Sequence, residues 1–338
     1  MKKTITIIAG GDSSEHDVSM RSAAGIDSWI DKEKYDVYIV EVKGKSWTAH
    51  LHNGTTSPVF LHNCTFLDEY NKRITPDYAY ITIHGTPGEN GILQGYFDLL
   101  KIPYSTSSLL VEAMTFDKFT LNQYLKGFGV RVANDVLVRK GYDFAPKEIA
   151  EKVGLPCFIK PNAGGSSFGV TKCKDVSEIA DAIEKARKES DDVLIENEMR
   201  GTEISNGVYK KPNGEIVVLP ITEVVPKTEF FDYDAKYNGK VEEITPARLS
   251  DDTTKRVQQL TKSIYQILDA SGIIRIDYII SKNADNQDVI NMLEINTTPG
   301  MTATSFIPQQ VRAAGLQMCD VLNEVIECKL SSDEQVSE

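Results

Sequence analysis

Ile273-Ile274-Arg275-Ile276-Asp277-Tyr278 and the later Met292-Leu293-Glu294-Ile295-Asn296 place charge inside apolar, β-branched runs, and the polar turn 281–288 joins them. Read as the strands Ile273–Ile280 and Val289–Ile295, they put Arg275 and Asp277 on one face, and Glu294 and Asn296 likewise, because side chains alternate along a strand. A charge buried without a partner costs several kcal/mol or more, so these side chains must pair or bind something. Two readings stay open. Arg275 can form a structural ion pair with the acids, or Asp277, Glu294 and Asn296 can offer hard oxygens to Mg²⁺ or Mn²⁺, a donor set unsuited to zinc. The turn that follows, Thr297-Thr298-Pro299-Gly300-Met301-Thr302, is either an ordinary Pro-Gly turn or a device that aims the Gly300 N–H at a developing oxyanion.

Upstream, Pro156–Pro161 reads as a strand carrying Lys160, and Asn162–Gly169 is a glycine- and serine-rich loop. Gly164 and Gly169 have the outer spacing of a P-loop, but Val170-Thr171 stands where Lys-Ser/Thr is required, so this is not a Walker motif. It is either a surface turn or a lid whose N–H groups close over phosphates, with Lys160 facing the same loop. Strands are predicted at Asp192–Glu196 and Glu203–Val208, and helices at Phe116–Phe128, Val176–Lys188 and Asp251–Ala270. The polar, aromatic stretch from Pro226 to Pro246 is long for an idle connection.

The first hundred residues alternate strand and helix. Thr4–Ala9 is a strand, Gly10-Gly11 breaks it, and Ser13 or Ser14 is placed to cap a helix over Val18–Ile30. Strands follow at Tyr35–Val42 and Asp77–Ile83, then a helix at Gly91–Lys101. Residues 45–68 form an excursion whose His50, His52 and His62 lack paired metal-ligand spacing and read as exposed. This is an open α/β sheet, whose ligands sit at the carboxyl ends of strands, where Gly10–Glu15 and His84–Gly91 lie. Neither loop matches Gly-x-Gly-x-x-Gly, which argues against a dinucleotide.

With 338 residues the chain is long enough for two or three domains, and a net charge of −12 argues against a nucleic-acid backbone partner. No apolar run approaches the ~20 residues of a membrane helix, and Met1-Lys2-Lys3 with Ile5–Ala9 reads as a first strand rather than a leader. Five scattered cysteines without a Cys-x-x-Cys pair fit reduced thiols and a cytoplasmic location.

Taken together, these segments resemble the ATP-grasp superfamily and, within it, the D-alanine–D-alanine ligases. The resemblance runs from Gly10 to about Glu327. It rests on Gly10–Ser19, on His84-Gly85 with Gly88–Gly91, on Phe116-Asp117-Lys118 and on Lys160-Pro161 with Gly165-Ser166-Ser167. It continues through Phe231–Tyr237, Arg275-Ile276-Asp277 and Glu294–Thr302. The implied fold is an N-terminal open α/β sheet domain (1–105) followed by a two-lobed α+β ATP-grasp domain (106–199 and 200–330), with 331–338 a frayed tail. The implied reaction phosphorylates the carboxylate of one D-alanine with ATP. The amine of a second then displaces phosphate, giving D-alanyl-D-alanine for peptidoglycan.

The same resemblance implies residue roles. Lys118, Lys160 and Lys236 contact ATP phosphates, and Asp277, Glu294 and Asn296 hold two Mg²⁺ (or Mn²⁺) ions. Glu203 takes the ribose, while Glu196, Asn197, Glu198 and Met199 hold the adenine edge beside Phe158. Glu15 pairs with the first D-alanine's ammonium and hydrogen-bonds with Ser166 and Tyr237, closing the phosphate lid and the 226–246 loop. Arg275 and Gly300 stabilise the oxyanion. His84 lies near the first substrate, and Ser305 binds the second substrate's carboxylate beside Phe306, where leucine is common. A homodimer is implied as well. The competing readings are D-lactate or D-serine as second substrate, which Tyr237 disfavours, and a non-catalytic nucleotide-binding regulator, which would not need Arg275.

Overall fold

The computed structural model describes residues 2–165, 168–226 and 241–334. β1 (Lys3–Gly10), α1 (His16–Trp29) and β2 (Tyr35–Lys43) open the chain, with β1 and β2 parallel and Ile7 beside Ile39. β3 (Ser46–His50) and β4 (Thr56–Pro58) fold back antiparallel, β5 (Phe66–Leu67) and β6 (Arg73–Ile74) form a small ribbon, and β7 (Tyr78–Ile81) lies parallel to β1. The sheet order is β4-β3-β2-β1-β7, so the expected excursion is its antiparallel edge. Two of its histidines are surface partners of carboxylates, His50 3.1 Å from Glu41 and His52 2.9 Å from Asp36, and His62 is exposed beside the Phe60 ring. β1 is apolar on both faces, Ile5, Ile7 and Ala9 meeting one layer and Ile8 the other, as a central parallel strand requires.

α2 (Ile92–Leu100) is followed by α3 (Leu109–Phe116) and α4 (Lys118–Lys126). The helix expected over Phe116–Phe128 is α4, which starts two residues later. Asp117 is extended, caps α4 by accepting the Thr120 N–H at 2.8 Å, and bridges to Ala163. Next come β8 (Asp135–Val138), α5 (Pro146–Val153), β9 (Cys157–Pro161), β10 (Thr171–Cys173), α6 (Ile179–Ala186) and β11 (Val193–Asn197). They build an antiparallel sheet in the order β10-β9-β11-β8. Cys157, Ile159, Cys173 and Ile195 turn to α5 and α6. Phe158, Lys160 and Glu196 take the opposite face.

β12 (Thr202–Lys210), β13 (Ile216–Val218), β14 (Thr222–Pro226), β15 (Val241–Ile244), α7 (Asp251–Ile267), β16 (Ile274–Lys282) and β17 (Asp288–Asn296) make the largest sheet. Its order is β15-β14-β12-β16-β17, with β13 on β12. α7 starts at Ser250, whose hydroxyl accepts the Thr253 N–H. Its Val257, Ile264 and Tyr265 pack on Ile204, Val208, Ile274 and Ile276, so this sheet too has one helix-covered face.

Each of the three sheets lies inside one of the segments expected from the sequence, but the layers cross those borders. α8 (Phe306–Ala313) and α9 (Met318–Glu334) return to the first sheet, where Ile307, Val311, Leu322 and Ile326 share a core with Ile5, Ile7 and Ile26. α9 runs to Glu334, past Ser331 where fraying is predicted. Gly25 lets α1 approach this assembly, because a Cβ there would sit 2.4 Å from the Met301 carbonyl oxygen.

Candidate active site

The register of the large sheet gathers its polar residues. Asp277 stands directly opposite Glu294 on β17 and Ser205 on β12, and Arg275 opposite Asn296. Opposed residues share a face, so these five form one patch on the side away from α7, with Glu203 two residues before Ser205 on the same face. A bulge between Asp277 and Tyr278 bends the strand at this point. The Asp277 carboxylate accepts from Arg275 Nε at 3.0 Å, Arg275 Nη2 at 2.9 Å, Ser205 Oγ at 2.6 Å and Asn296 Nδ2 at 3.1 Å. Burial by itself would lower the arginine's pKa, but Asp277, Glu294 and Glu89 outweigh it and hold the guanidinium charged.

The ion-pair reading is thus realised in Arg275–Asp277. The metal reading is tested by the donor set. Two carboxylates and an amide oxygen on one face fit Mg²⁺, which takes one or two carboxylates and completes its shell with phosphate oxygens and water. Among the described residues no cluster of three or more His, Cys, Asp or Glu could hold a metal. The described residues alone therefore offer no complete cage.

The small sheet carries lysines paired with carboxylates. Lys160 pairs with Glu196, both nearly buried, and Asn122 Nδ2 donates to Glu196 at 2.9 Å. Phe158 stands opposite Glu196, with Lys172 Nζ 5.7 Å from its ring centre. Burial alone would raise the pKa of Glu198, but Lys172 and Arg200 hydrogen-bond to it and hold it below its ordinary value. The side chains of Glu196 and Glu198 thus serve neighbouring cations, Lys160 for the first and Lys172 with Arg200 for the second. Asn197 is fixed by the Asn134 N–H at 2.6 Å, and half-buried Met199 follows.

Lys118, the first residue of α4, is tied to the glycine-rich loop. Its Nζ donates to the Gly164 carbonyl in the glycine-rich loop, and its N–H donates to Asn162 O at 3.1 Å. Burial lowers its pKa and Lys160 adds to this. Glu294, Glu196 and Glu89 oppose without reversing it.

The N-terminal loops close the third side. Glu15, not Ser13 or Ser14, is the N-cap position of α1. Ser13 Oγ instead donates to the His84 carbonyl at 2.8 Å, tying the two loops together. A Cβ on Gly165 would lie 3.2 Å from a Glu15 carboxylate oxygen, so Glu15 abuts the glycine-rich loop. His84 is only 8% exposed, and its Nε2 is buried without a hydrogen-bond partner among the described residues. Beyond β17, a Cβ on Gly300 would sit 2.9 Å from Ser305 Oγ, and the Arg275 guanidinium lies 5.2 Å from the Phe306 ring centre. Gly300, Ser305, Phe306 and Arg275 therefore adjoin. Ser166, Lys236 and Tyr237 lie outside the described residues.

Three residues escape sequence reasoning. Ser205 has no signal apart from register. Glu89 sits in Gly88–Gly91, a segment used for the resemblance without a role for its acid. Glu112, in the run Leu109-Leu110-Val111-Glu112-Ala113, is wholly buried, accepts the Ser107 N–H at 3.0 Å and the Thr297 hydroxyl, and has its pKa raised well above the ordinary value by burial.

The profile of the family described as D-ala D-ala ligase C-terminus matches residues 124–327, and that of D-ala D-ala ligase N-terminus matches 4–107. The D-alanine–D-alanine ligase of Phocaeicola vulgatus is 61% identical, over 97% of this chain and 100% of its own length. That of Bacteroides fragilis is 57% identical over the same shares. Among solved structures, the D-Ala:D-Ser ligase VanG of Enterococcus faecalis superposes with a TM-score of 0.85 at 29% identity, covering 97% of this chain and 100% of its own. The D-alanine–D-alanine ligase of Bacillus anthracis complexed with ATP gives 0.78 at 27%, with 99% of each chain covered. With its acid patch, its paired lysine and both halves of the chain matched, the protein belongs to the D-alanine–D-alanine ligase family.

Proposed function

We infer that this enzyme uses ATP to join two D-alanines into D-alanyl-D-alanine, a peptidoglycan precursor. The observation that carries the residue-level reading is the register that brings Asp277, Glu294 and Asn296 onto one face of the large sheet, with Lys118 Nζ on the Gly164 carbonyl of the glycine-rich loop. That is the arrangement phosphoryl transfer asks for, since its catalysis is mostly positioning and charge neutralisation.

In this reading Lys118, Lys160 and Lys236 contact the phosphates, and Glu203 takes the ribose. The 196–199 backbone, with Phe158 beside it, borders the base. Asp277, Glu294 and Asn296 would hold two Mg²⁺ ions, which when bound supply positive charge to the phosphate oxygens. Glu15 receives the first D-alanine's ammonium, with His84 nearby. That substrate's carboxylate oxygen attacks the γ-phosphorus, ADP leaves, and an acyl phosphate forms. The second D-alanine, its carboxylate on Ser305, attacks the acyl carbon through its amine. The oxyanion gathers at Arg275 and the Gly300 N–H, and its collapse breaks the C–O bond to phosphate. Closure by Ser166 and Tyr237 over Glu15 keeps water from the acyl phosphate.

Identity reaches 61% with D-alanine–D-alanine ligases against 29% with the D-Ala:D-Ser ligase, which favours the dipeptide over D-serine or D-lactate products. We further propose a homodimer, supported by exposed Ile92, Leu99 and Leu110 on α2 and α3, and a cytoplasmic location, supported by ATP dependence. No described helix is long and apolar enough to cross a membrane. The test is phosphate release from Mg²⁺ and ATP with D-alanine, L-alanine, or D-alanine plus D-lactate, with products resolved by mass. D-alanyl-D-alanine is the expected product. A depsipeptide would change the second substrate, and no phosphate with any of them would end the ligase reading.

A further inference from the structure

Glu89 has no part in the reaction just described, yet it lies where the two amino-acid subsites meet. One oxygen of its carboxylate accepts the Gly85 N–H at 2.7 Å, beside His84, and the other accepts the Thr298 N–H at 3.4 Å, at the start of the turn that carries Gly300. Among the described residues it makes no ion pair, so its charge is spent on two backbone donors from opposite ends of the chain. The Thr298 hydroxyl reinforces the link by donating to the Ile83 carbonyl at 3.0 Å. The loop has little freedom to take another path. A Cβ on Gly88 would lie 2.2 Å from the Ile83 oxygen, and the Glu89 N–H returns to Gly85 O at 2.9 Å. Its field reaches Arg275 and Lys118, so the carboxylate borders the same polar chamber.

We propose that Glu89 is a positioning residue that brackets the His84–Gly85 loop to the Thr297–Thr302 turn and so sets the distance between the acyl phosphate and the attacking amine. The proposal rests on the ligase reading. The bracket needs two acceptor oxygens. Glutamine keeps the size but has one, and its amide NH₂ cannot accept the second N–H. Opening the bracket spares the first half-reaction, which needs ATP and the first D-alanine alone. It slows the second, where a displacement of about 1 Å costs on the order of a hundredfold. Water then takes the place of the amine: its oxygen bonds to the acyl carbon, the bond from that carbon to the phosphate oxygen breaks, and D-alanine and phosphate leave separately.

The experiment measures phosphate and D-alanyl-D-alanine in the same reactions for wild type, Glu89→Gln and Glu89→Ala, across D-alanine concentrations. Wild type should release about one phosphate per dipeptide, and the alanine variant more than about three, with glutamine between them, as expected when an exposed acyl phosphate is hydrolysed. The KM for the second D-alanine should rise at least ~tenfold in Glu89→Ala, while the single-turnover ATP burst stays near wild type. A purely structural role would lower burst and ligation together and leave the ratio at one, and that result would overturn the proposal. Should the alanine variant fail to fold, the ratio for Glu89→Gln decides in the same way. A wild type that makes no dipeptide would instead sink the ligase reading.

Discussion

The two sheets that face the site are built alike and differ in the charges they present. Each lays an apolar face on helices, α5 and α6 for the small sheet and α7 for the large one, and turns a polar face away. On the large sheet the polar face is a carboxylate patch with one arginine folded onto it. On the small sheet it is two lysines, each paired with a glutamate, Lys160 with Glu196 and Lys172 with Glu198, and Asp135 stands opposite Glu196 at the edge. A site for a polyphosphate and its metal needs both signs within a few ångströms, and neither sheet could bury one sign alone. Internal pairing lets each face exist before the ligand arrives.

The sharpest way to break this comparison is Glu294→Gln. It removes one carboxylate charge from the large sheet and leaves the two hydrogen bonds from Arg275 to Asp277 in place. Turnover should fall by about a thousandfold, the several kcal/mol that a metal clamp supplies, while the melting temperature stays unchanged. Near-normal turnover would take Glu294 out of the site. The counterpart on the small sheet is Glu196→Gln, which leaves Lys160 buried without a carboxylate. Unfolding should cost about 3 kcal/mol less, and ATP should narrow that gap by supplying the missing negative charge. Denaturant melts with and without nucleotide would decide, and an equal loss in both would detach Lys160 from the phosphates.

A third test reaches the end of β17 through Glu112. Its folded-state pKa is raised by burial, so its contribution to stability is complete below about 4.5, its ordinary value, and is lost as pH rises toward the folded value. Glu112→Gln should therefore gain on wild type in melts as pH increases from 4 to 8; parallel curves would contradict a buried, proton-holding acid. The smallest effect is expected from Phe306→Leu, which removes the ring over Arg275 and should cost about 1 kcal/mol in second-substrate affinity. An unchanged KM would separate that ring from the subsite.

The sequence displays what alternation and glycine punctuation encode. Arg275, Asp277, Glu294 and Asn296 could be assigned to faces because polar residues interrupt apolar strands, and the break at Gly10-Gly11 ended β1 where it does. It conceals what depends on partners distant in the chain. Asp117 leaves the helix to bridge to Ala163, and Glu196 pairs with Lys160. Ser205 enters the patch only through the register of β12 on β16. Four-residue β8 is too short for a periodic signal, so the edge of the small sheet was not legible either.

The core shared by Ile5, Ile7 and Ile26 with Leu322 and Ile326 carries a consequence for biosynthesis. A ribosome delivers β1, β2 and β7 long before α8 and α9. Until those last helices emerge, α1 is the only described layer on that face of the central parallel sheet, and the part of the core that Leu322 and Ile326 complete stays open. The nascent N-terminal region must wait with that apolar surface partly uncovered for nearly the whole chain to be made, which is the interval in which chaperones bind apolar surface and premature termination yields aggregates.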